Sequence, residues 1–552
     1  MPNDPIRYTG GPGTGRSATE ILVRLRRDSV PQHCRANFED LPGTFKDLIN
    51  QLPPPPRPDG DQPTRPSMAI CPVFLDAAAF LPKKGEGFVG RLIQGVEEYL
   101  PEGRLLRFDK PESAGSHSEG DLLNLLTNFR LRFSDATDAQ AAFKKLQREP
   151  SVMKVEWSPR RVIAVTVLRG EAHFDLESAA PAARPRTLGL RDTAPDQADT
   201  VLHGLAEIRD LLRDMKKCAC DKAASDVPGE PDSSYADWGR VAIDRPDDPK
   251  LGDGIVLAML DLGVDHTHPD LKNRIIHGLS IPVDPNDQVM RDGTLLGRAA
   301  ALHPFRPRGH HGTAVAGIMA GTRTGVLPKA HIVSFQVAAE QPYRGQDALG
   351  REVLYYPVDQ VLYNSSLWTL ANLRVPDTGE VTVLNMSIGG EAPLCEAEEI
   401  ALKEVAAKGI LLVAAAGNHS RPGDFSGVMY PARNPLVLSV GAVGIEGNTL
   451  FYKHAAFSNF DDNDYLINVV APGSGIYFPV PYLRKASGYG WGDGTSFASP
   501  YVSAMAAHAI QKLGSYEPRL HSVRLKYQKA DRGYDERHGW GLAKWPRPAS
   551  GQ

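Results

Sequence analysis

Several short segments of the chain are apolar at successive positions, not at alternate ones. They are IVLAML (255–260), HIVSFQV (331–337), VTVLNMS (381–387), ILLVAAA (410–416) and VLSVGAV (437–443), and helix-like stretches separate them. A strand that is apolar on both faces must be covered on both, as in a parallel sheet held between two layers of helices. The pattern predicts an α/β domain over 236–552, with its chemistry gathered at the carboxyl ends of the strands.

The first part of the chain has a different texture. ILVRLRR (21–27), MAICPVFL (68–75), NFRLRF (128–133), VMKVEW (152–157) and VIAVTV (162–167) read as strands. In DAQAAFKKLQRE (138–149), Ala142, Phe143 and Leu146 recur at helical spacing, which predicts a helix lying on that sheet. Residues 20–177 are therefore expected to form a smaller α+β domain, with QLPPPPRPDGDQPTRP (51–66) as an extended polyproline-type loop inside it. Residues 178–235 read as a linker with one amphipathic helix at 200–217, whose stripe is Val201, Leu205, Ile208, Leu212 and Met215. That stripe is expected to dock on a neighbouring domain.

Residues 1–19 are polar and rich in Gly and Pro, and are expected to be a disordered tail. Within them GGPGTGRS (10–17) is one letter from a phosphate-binding loop, but no apolar strand precedes it and Arg16 stands where the lysine belongs. Nucleotide hydrolysis would require ATP binding that is lost on changing Gly15 or Arg16, and the tail reading is preferred.

Bulk properties exclude several classes. The net charge of −4 points to neither nucleic acid nor an anionic membrane as partner, and no apolar run approaches the ~20 residues that cross a bilayer. The start of the chain has no basic segment followed by an apolar one, so no secretory signal is expected. The five cysteines, Cys34, Cys71, Cys218, Cys220 and Cys395, contain no C-x-x-C pair. That suits a reducing cytoplasm better than a disulfide framework or zinc ribbon, with Cys218 and Cys220 as ordinary thiols.

Three polar stretches interrupt the apolar pattern. Strand 255–260 runs into Asp261-Leu262-Gly263 and then HTHPDL; GHHGTAVAGIMAG (309–321) opens a helix of small residues with a histidine; and GDGTSFASPYVSAMAAHAI (492–510) places Ser496 at a helix start. Pro500 is expected near the first turn, where proline is tolerated. A serine hydroxyl is a poor nucleophile. It needs an imidazole to take its proton, and a carboxylate to hold that imidazole in the right tautomer.

The motifs D-x-G…H-P-D-L, H-G-T-x-V-A-G, N-M-S-x-G-G, A-A-A-G-N and G-T-S-x-A-S-P, in this order over roughly 236–545, resemble those of the subtilisin-like serine peptidases. The order Asp…His…Ser is that family's own. The resemblance implies a three-layer α/β/α domain with a central parallel sheet, and an endopeptidase working through an acyl-enzyme on Ser496. His311 would be general base and acid, Asp261 the orienting carboxylate, and Asn418 with the Ser496 amide the oxyanion donors. The H-G-T register selects His311 over His310, which is expected on the rim.

By the same resemblance Ser387, Ile388, Gly389 and Gly390 would pair with the substrate backbone and wall the primary pocket. Ala415, Ala416 and Gly417 would form the opposite wall, and Met429 would shorten the pocket and disfavour large aromatic residues. Leu262 replaces a hydroxyl residue found in many relatives, and Ala314 a histidine. No metal is expected. The segment 317–330 lacks the bulge that holds calcium in secreted relatives, and Asp270 alone supplies too few oxygens. The DDND run (461–464) reads as a solvated loop, and His268 of His266-x-His268 as structural. No organic cofactor is implied.

AFKKLQREPSVMKVEWSPRRVI (142–163) resembles the second half of an inhibitory propeptide of this family, through Pro150, Val152, Val155 and Glu156. An ordinary βαβ piece of an unrelated domain is the alternative. A cytoplasmic endopeptidase meets the whole proteome, so restraint by the N-terminal region is expected, with autoprocessing or opening in 178–235. The competing class is a latent regulatory or binding protein with a protease fold that needs an activating partner or signal. Partners otherwise are protein or peptide substrates.

Overall fold

The computed structural model describes residues 16–26, 68–73, 127–133, 136–150, 152–166, 237–280, 311–338, 343–346, 352–372, 380–420, 427–445, 452–460, 466–481, 488–525 and 533–547. The expected linker and its helix at 200–217, the polyproline-type loop, His310, the DDND run and Cys218 with Cys220 lie outside them.

Strands β1 (Arg16–Leu25), β2 (Met68–Pro72), β3 (Asn128–Phe133) and β4 (Val152–Pro159) form an antiparallel sheet in the order β2-β3-β1-β4, and helix α1 (Ala136–Leu146) packs on it. The two-residue period sorts its faces. Ile21, Val23, Leu25, Phe129, Leu131 and Phe133 meet Ala139, Ala142 and Leu146 of α1. Leu22 joins the core of the following domain, and Arg130 and Arg132 reach its Asp359. Strand β1 starts at Arg16, inside the stretch expected to be tail. It does so because pairing with β4 runs on to Arg16↔Pro159 and the Arg16 side chain donates to the Trp157 carbonyl at 2.6 Å.

Strand β5 (Val162–Thr166) was expected within the N-terminal domain, and the structure places it elsewhere. After α2 (Trp238–Ala242), β6 (Val256–Asp261), β7 (Ile275–Ser280), α3 (His311–Ala320), β8 (His331–Gln336) and β9 (Tyr343–Gln346), the chain forms β10 (Glu352–Pro357). Strand β5 pairs antiparallel with β10, in a separate sheet ordered β5-β10-β9.

Helix α4 (Gln360–Asn372), β11 (Val381–Met386), α5 (Glu396–Ala407), β12 (Leu411–Ala415), β13 (Val437–Ile445), β14 (Tyr452–His454), β15 (Val469–Pro472), β16 (Ile476–Pro479), β17 (Tyr489–Gly492), α6 (Thr495–Leu513), β18 (Ser522–Val523) and β19 (Leu542–Ala543) complete the domain. Its main sheet has the order β18-β19-β15-β13-β12-β11-β6-β8-β7, with β14 on β13. The pairings from β7 to β19 along that order are parallel. Every residue of β6 is buried, as its all-apolar run predicts. Helices α4 and α5 cover one face of the sheet and α3 and α6 the other, each with its own apolar core. The expected three-layer α/β/α architecture is present.

Candidate active site

Strand β6 ends on Asp261, whose side chain is fully buried. Its Oδ1 accepts from the Leu262 amide at 2.7 Å and from His311 Nδ1 at 2.8 Å, while Oδ2 lies 3.0 Å from the same nitrogen. A carboxylate only accepts, so Nδ1 carries the ring proton and Nε2 presents a lone pair. His311 Nε2 is buried without a hydrogen bond to any described residue. Leu262 thus contributes its amide where a hydroxyl side chain is missing. Two neighbours make the approach of His311 to Asp261 feasible. A Cβ on Gly312 would fall 2.1 Å from the Gly263 carbonyl oxygen, and Thr313 Oγ1 accepts from the Asp265 amide at 2.9 Å, fixing the turn after β6 to α3.

Ser496 is the second residue of α6 and is buried. The ring of the adjacent Phe497 lies 5.7 Å from that of His311, centroid to centroid, so the hydroxyl-bearing turn abuts the imidazole. Its amide belongs to the orphaned donors of a helix start. Pro500 is the sixth residue of α6, just past the first turn. It lacks the amide hydrogen that would bond the Ser496 carbonyl four residues back. Ser387 Oγ supplies the missing donor, at 2.9 Å from that carbonyl oxygen. Ser387 also accepts from Asn385 Nδ2 at 3.0 Å and lies 3.2 Å from Ser499 Oγ, while Ser503 Oγ donates to Asn385 Oδ1 at 3.0 Å. A buried polar network therefore ties the turn after β11 to the helix that carries Ser496.

Asn418 follows β12 and is held by its oxygen. Oδ1 accepts from the Thr495 amide at 2.8 Å and the Thr495 hydroxyl at 2.7 Å, and that hydroxyl accepts from the Gly417 amide at 3.1 Å. This leaves the Asn418 amide group as the free donor. A Cβ on Gly494 would lie 3.3 Å from Asn418 Nδ2 and 3.6 Å from the Ser496 nitrogen. The two donors thus face one space, which Gly494 keeps open. Sequence reasoning gave Thr495, Asn385, Ser499 and Ser503 no individual role, although Asn385 lies in N-M-S-x-G-G and Thr495 and Ser499 lie in G-T-S-x-A-S-P.

The expected pocket walls also meet. Met429 is buried, and its amide donates to the Ala416 carbonyl at 3.0 Å. A Cβ on Gly389 would sit 2.9 Å from Met429 Sδ, and one on Gly417 3.0 Å from its Cγ and Sδ. Met429 therefore fills the space between the 387–390 and 415–417 segments. Ile388 and Ala415 are buried beside them. The Gly390 and Tyr430 amides exchange hydrogen bonds at 3.0 and 2.9 Å with each other's carbonyls.

One strand already lies along this groove. Val162 and Gly389 exchange two backbone hydrogen bonds, at 2.8 and 3.0 Å. On the other side β5 pairs with β10 from Pro357↔Val162 to Val353↔Thr166, and the Val358 amide donates to the Arg161 carbonyl at 2.9 Å. Run on by two residues, the antiparallel register puts Ala164 opposite Ser387, the residue bonded to Ser496. Further ties hold the N-terminal sheet in place. Asp359 caps α4 through the Val361 and Leu362 amides and pairs with Arg130 at 2.5 Å and Arg132 at 3.3 Å. Burial alone would raise its carboxyl, but the two guanidiniums and the Leu362 amide outweigh it and hold the group below the usual carboxylate range. Glu156 accepts from the Glu396 amide at the start of α5, at 3.2 Å, and Arg24 pairs with the Glu396 side chain.

His268 and Asp270 hydrogen-bond within the fold. His268 Nδ1 accepts from the Asp270 amide at 3.1 Å, so its Nε2 donates to the Gly488 carbonyl at 2.8 Å. Asp270 accepts from the Arg323 amide and from Thr324 Oγ1 at 2.7 Å. Among the described residues no cluster of three metal-binding side chains occurs, and no helix is long and apolar enough to cross a membrane.

An imidazole oriented by a carboxylate, with a helix-borne serine near it, is the kind of arrangement that serine hydrolysis needs. The profile of the subtilase family matches residues 252–541, more than half of the chain, and the chain belongs to that family. It is a subtilisin-like serine endopeptidase and hydrolyses peptide bonds in proteins or peptides. The chain is 31% identical to the major intracellular serine protease of Bacillus subtilis over 270 residues, covering 48% of this chain and 70% of that one. It is also 31% identical to an intracellular serine protease of Paenibacillus polymyxa over 288 residues, covering 50% and 74%. Among solved structures, fervidolysin from Fervidobacterium pennivorans, a keratinolytic enzyme related to subtilisin, aligns with a TM-score of 0.47 at 22% identity, over 77% of this chain and 57% of that one.

Proposed function

We propose that Ser496, His311, Asp261 and Asn418 carry the peptidase chemistry. The observation that carries this is the buried Asp261–His311 pair, whose Nε2 has no hydrogen bond to a described residue and whose ring lies 5.7 Å from that of Phe497, next to Ser496 in α6. As Ser496 Oγ adds to the scissile carbonyl carbon, its proton passes to His311 Nε2, and Asp261 stabilises the imidazolium. The Asn418 side-chain amide and the Ser496 backbone amide receive the negative charge on the carbonyl oxygen. Collapse breaks the C–N bond, the proton goes from His311 to the leaving nitrogen, and an ester remains on Ser496. Water then attacks the ester, gives one proton to His311, and expels Ser496 Oγ, which takes that proton back. Catalytic hydrogen bonds are often long before substrate arrives, and the unpaired Nε2 fits that state.

The walls at Ser387, Ile388, Gly389, Gly390 and at Ala415, Ala416, Gly417 receive an extended peptide as an added strand. Met429 between them limits the residue before the scissile bond to a small one, as Ala164 is. Strand β5 takes this place in the full chain, so the N-terminal region restrains the enzyme, and a signal or partner that lifts β5 switches it on. The occupied cleft gives weight to the second reading, a protein latent until such release. Beside the segment 178–235, the Ala164–Val165 bond is a second candidate site of processing, because the register of the Val162–Gly389 bridge run on by two residues sets Ala164 opposite Ser387. The names of the two intracellular relatives, and a buried free Cys395 whose thiol is pushed well up by burial and by Glu398, support a cytoplasmic location.

A fluorophosphonate probe tests both parts. Labelling of the full chain should disappear in Ser496→Ala, and should speed up in Val162→Pro, which removes the amide that bonds Gly389. A wild-type chain that stays unlabelled even with Val162→Pro would end the catalytic reading. Equal labelling rates with and without that change would end the restraint.

A further inference from the structure

The strand in the cleft carries one side chain that an ordinary apolar groove would not hold. Arg161 and Glu398 are both fully buried. The guanidinium meets the carboxylate through two parallel bonds, Nε to Oε1 and Nη2 to Oε2, each 3.0 Å. Its Nη1 donates to the Ala392 carbonyl at 2.7 Å, and the group lies 5.9 Å from the Tyr430 ring centroid. Glu398 receives one other donor, the Cys395 amide, at 3.0 Å to Oε2. The pocket is built for this residue on its backbone side too. A Cβ on Gly390 would fall 2.1 Å from the Arg160 carbonyl oxygen and 3.0 Å from Arg161 Nη1.

We infer that Glu398 makes the cleft selective for arginine at the fourth residue upstream of the scissile bond, the position Arg161 takes when Ala164 is counted as the first. This rests on the cleft being the substrate site proposed above. When β5 leaves, Glu398 loses both guanidinium bonds and keeps one amide donor, so a cation that restores those bonds is favoured there. The donor fork that reaches both carboxylate oxygens and the Ala392 carbonyl is a property of guanidinium. A lysine ammonium reproduces the charge but not the three directions. Substrates are therefore proteins exposing an arginine three residues before a small residue, and the chain's own strand is a tethered copy of that motif.

The test uses the full chain carrying Ser496→Ala to prevent turnover, with Arg161→Ala and Val162→Pro to unseat its own strand. Fluorescein-labelled peptides with the core Arg-Val-Ile-Ala, or with citrulline in place of arginine, are titrated by fluorescence anisotropy. Citrulline keeps the shape and removes the charge, so the comparison needs no further change to the protein. The arginine peptide should bind at least about tenfold more tightly, as expected for one charge-assisted bidentate pair. Glu398→Gln in the same background should reduce the difference to about threefold or less. Equal binding, no binding of either peptide, or a preference unchanged by Glu398→Gln overturns the inference. Casein hydrolysis and probe labelling of chains with Ser496 intact report the catalytic reading separately. Arginine-selective binding without hydrolysis would sink that reading alone, and hydrolysis with equal binding would sink only the pocket.

Discussion

Thr495 shows how a residue beside the chemistry can govern it. Both its amide and its hydroxyl bind Asn418 Oδ1, and this orientation leaves the Asn418 amide group facing the space shared with the Ser496 nitrogen. For subtilisin itself, removal of the corresponding asparagine is known to cost about 10²–10³ in turnover, and Asn418→Ala should fall in that range. Thr495→Val keeps the backbone bond and loses the hydroxyl. With a neutral hydrogen bond worth about 1 kcal/mol, kcat should drop roughly fivefold to tenfold while KM stays nearly constant. Steady-state kinetics on one peptide substrate, in a Val162→Pro background, checks both. A Thr495→Val enzyme with a raised KM and normal kcat would mean that the hydroxyl serves substrate binding.

Helix α6 pairs a proline with a serine from another element. Pro500 leaves the Ser496 carbonyl without its helical partner, and Ser387 Oγ, more than a hundred residues away, replaces it. The cost of a proline inside a helix is thus reduced by a neighbouring strand, at the turn where the nucleophile must be held. Ser387→Ala should leave that carbonyl unsatisfied and destabilise the chain by about 1–3 kcal/mol. The melting temperature should fall accordingly, and Pro500→Ala in the same chain should recover part of the loss by restoring the helical amide. If Ser387→Ala melts with wild type, water satisfies the carbonyl and the network is dispensable. Strand β5 makes a similar point for the sheets. Its apolar run announced a strand, but its partner, β10, lies almost two hundred residues on and is set by the folded chain.

At the scale of the molecule, the peptidase domain carries a pair of histidines, His538 buried and His454 half-buried, that sets a pH limit. His454 on β14 lies edge-on to His538, with centroids 5.7 Å apart, and His538 is bound through Nδ1 to Asp535 at 2.9 Å. Burial first, then the charges of His538 and Arg537, push the His454 pKa down to about 3. The unfolded chain, with an imidazole pKa of about 6.5, binds a proton that the folded one refuses. Stability should therefore fall as the pH drops from about 6.5 toward 3, and be independent of this group above that window. Denaturant unfolding of His454→Phe and wild type across pH 7 to 4 should show a shallower slope for the variant. Parallel slopes would mean that His454 already shares its proton in the fold.

The peptidase domain was legible in the sequence because its signals are local. A strand buried on both faces must be apolar at every position, and chemistry that needs glycine beside histidine or serine writes itself into motifs of four to seven letters. Those motifs alone numbered the residues proposed to act, Asp261, His311, Ser496 and Asn418, and the proposed pocket walls. The folded chain decided what joins residues remote in sequence. Arg161 and Glu398 are separated by 237 positions and Arg130 and Asp359 by 229. No periodicity records such a pair, since an arginine on a strand and a glutamate on a helix each look like a solvated surface charge. Only when β5 is laid against β10 and Gly389 do the two lose their water together, and the cleft acquires both its occupant and its charge.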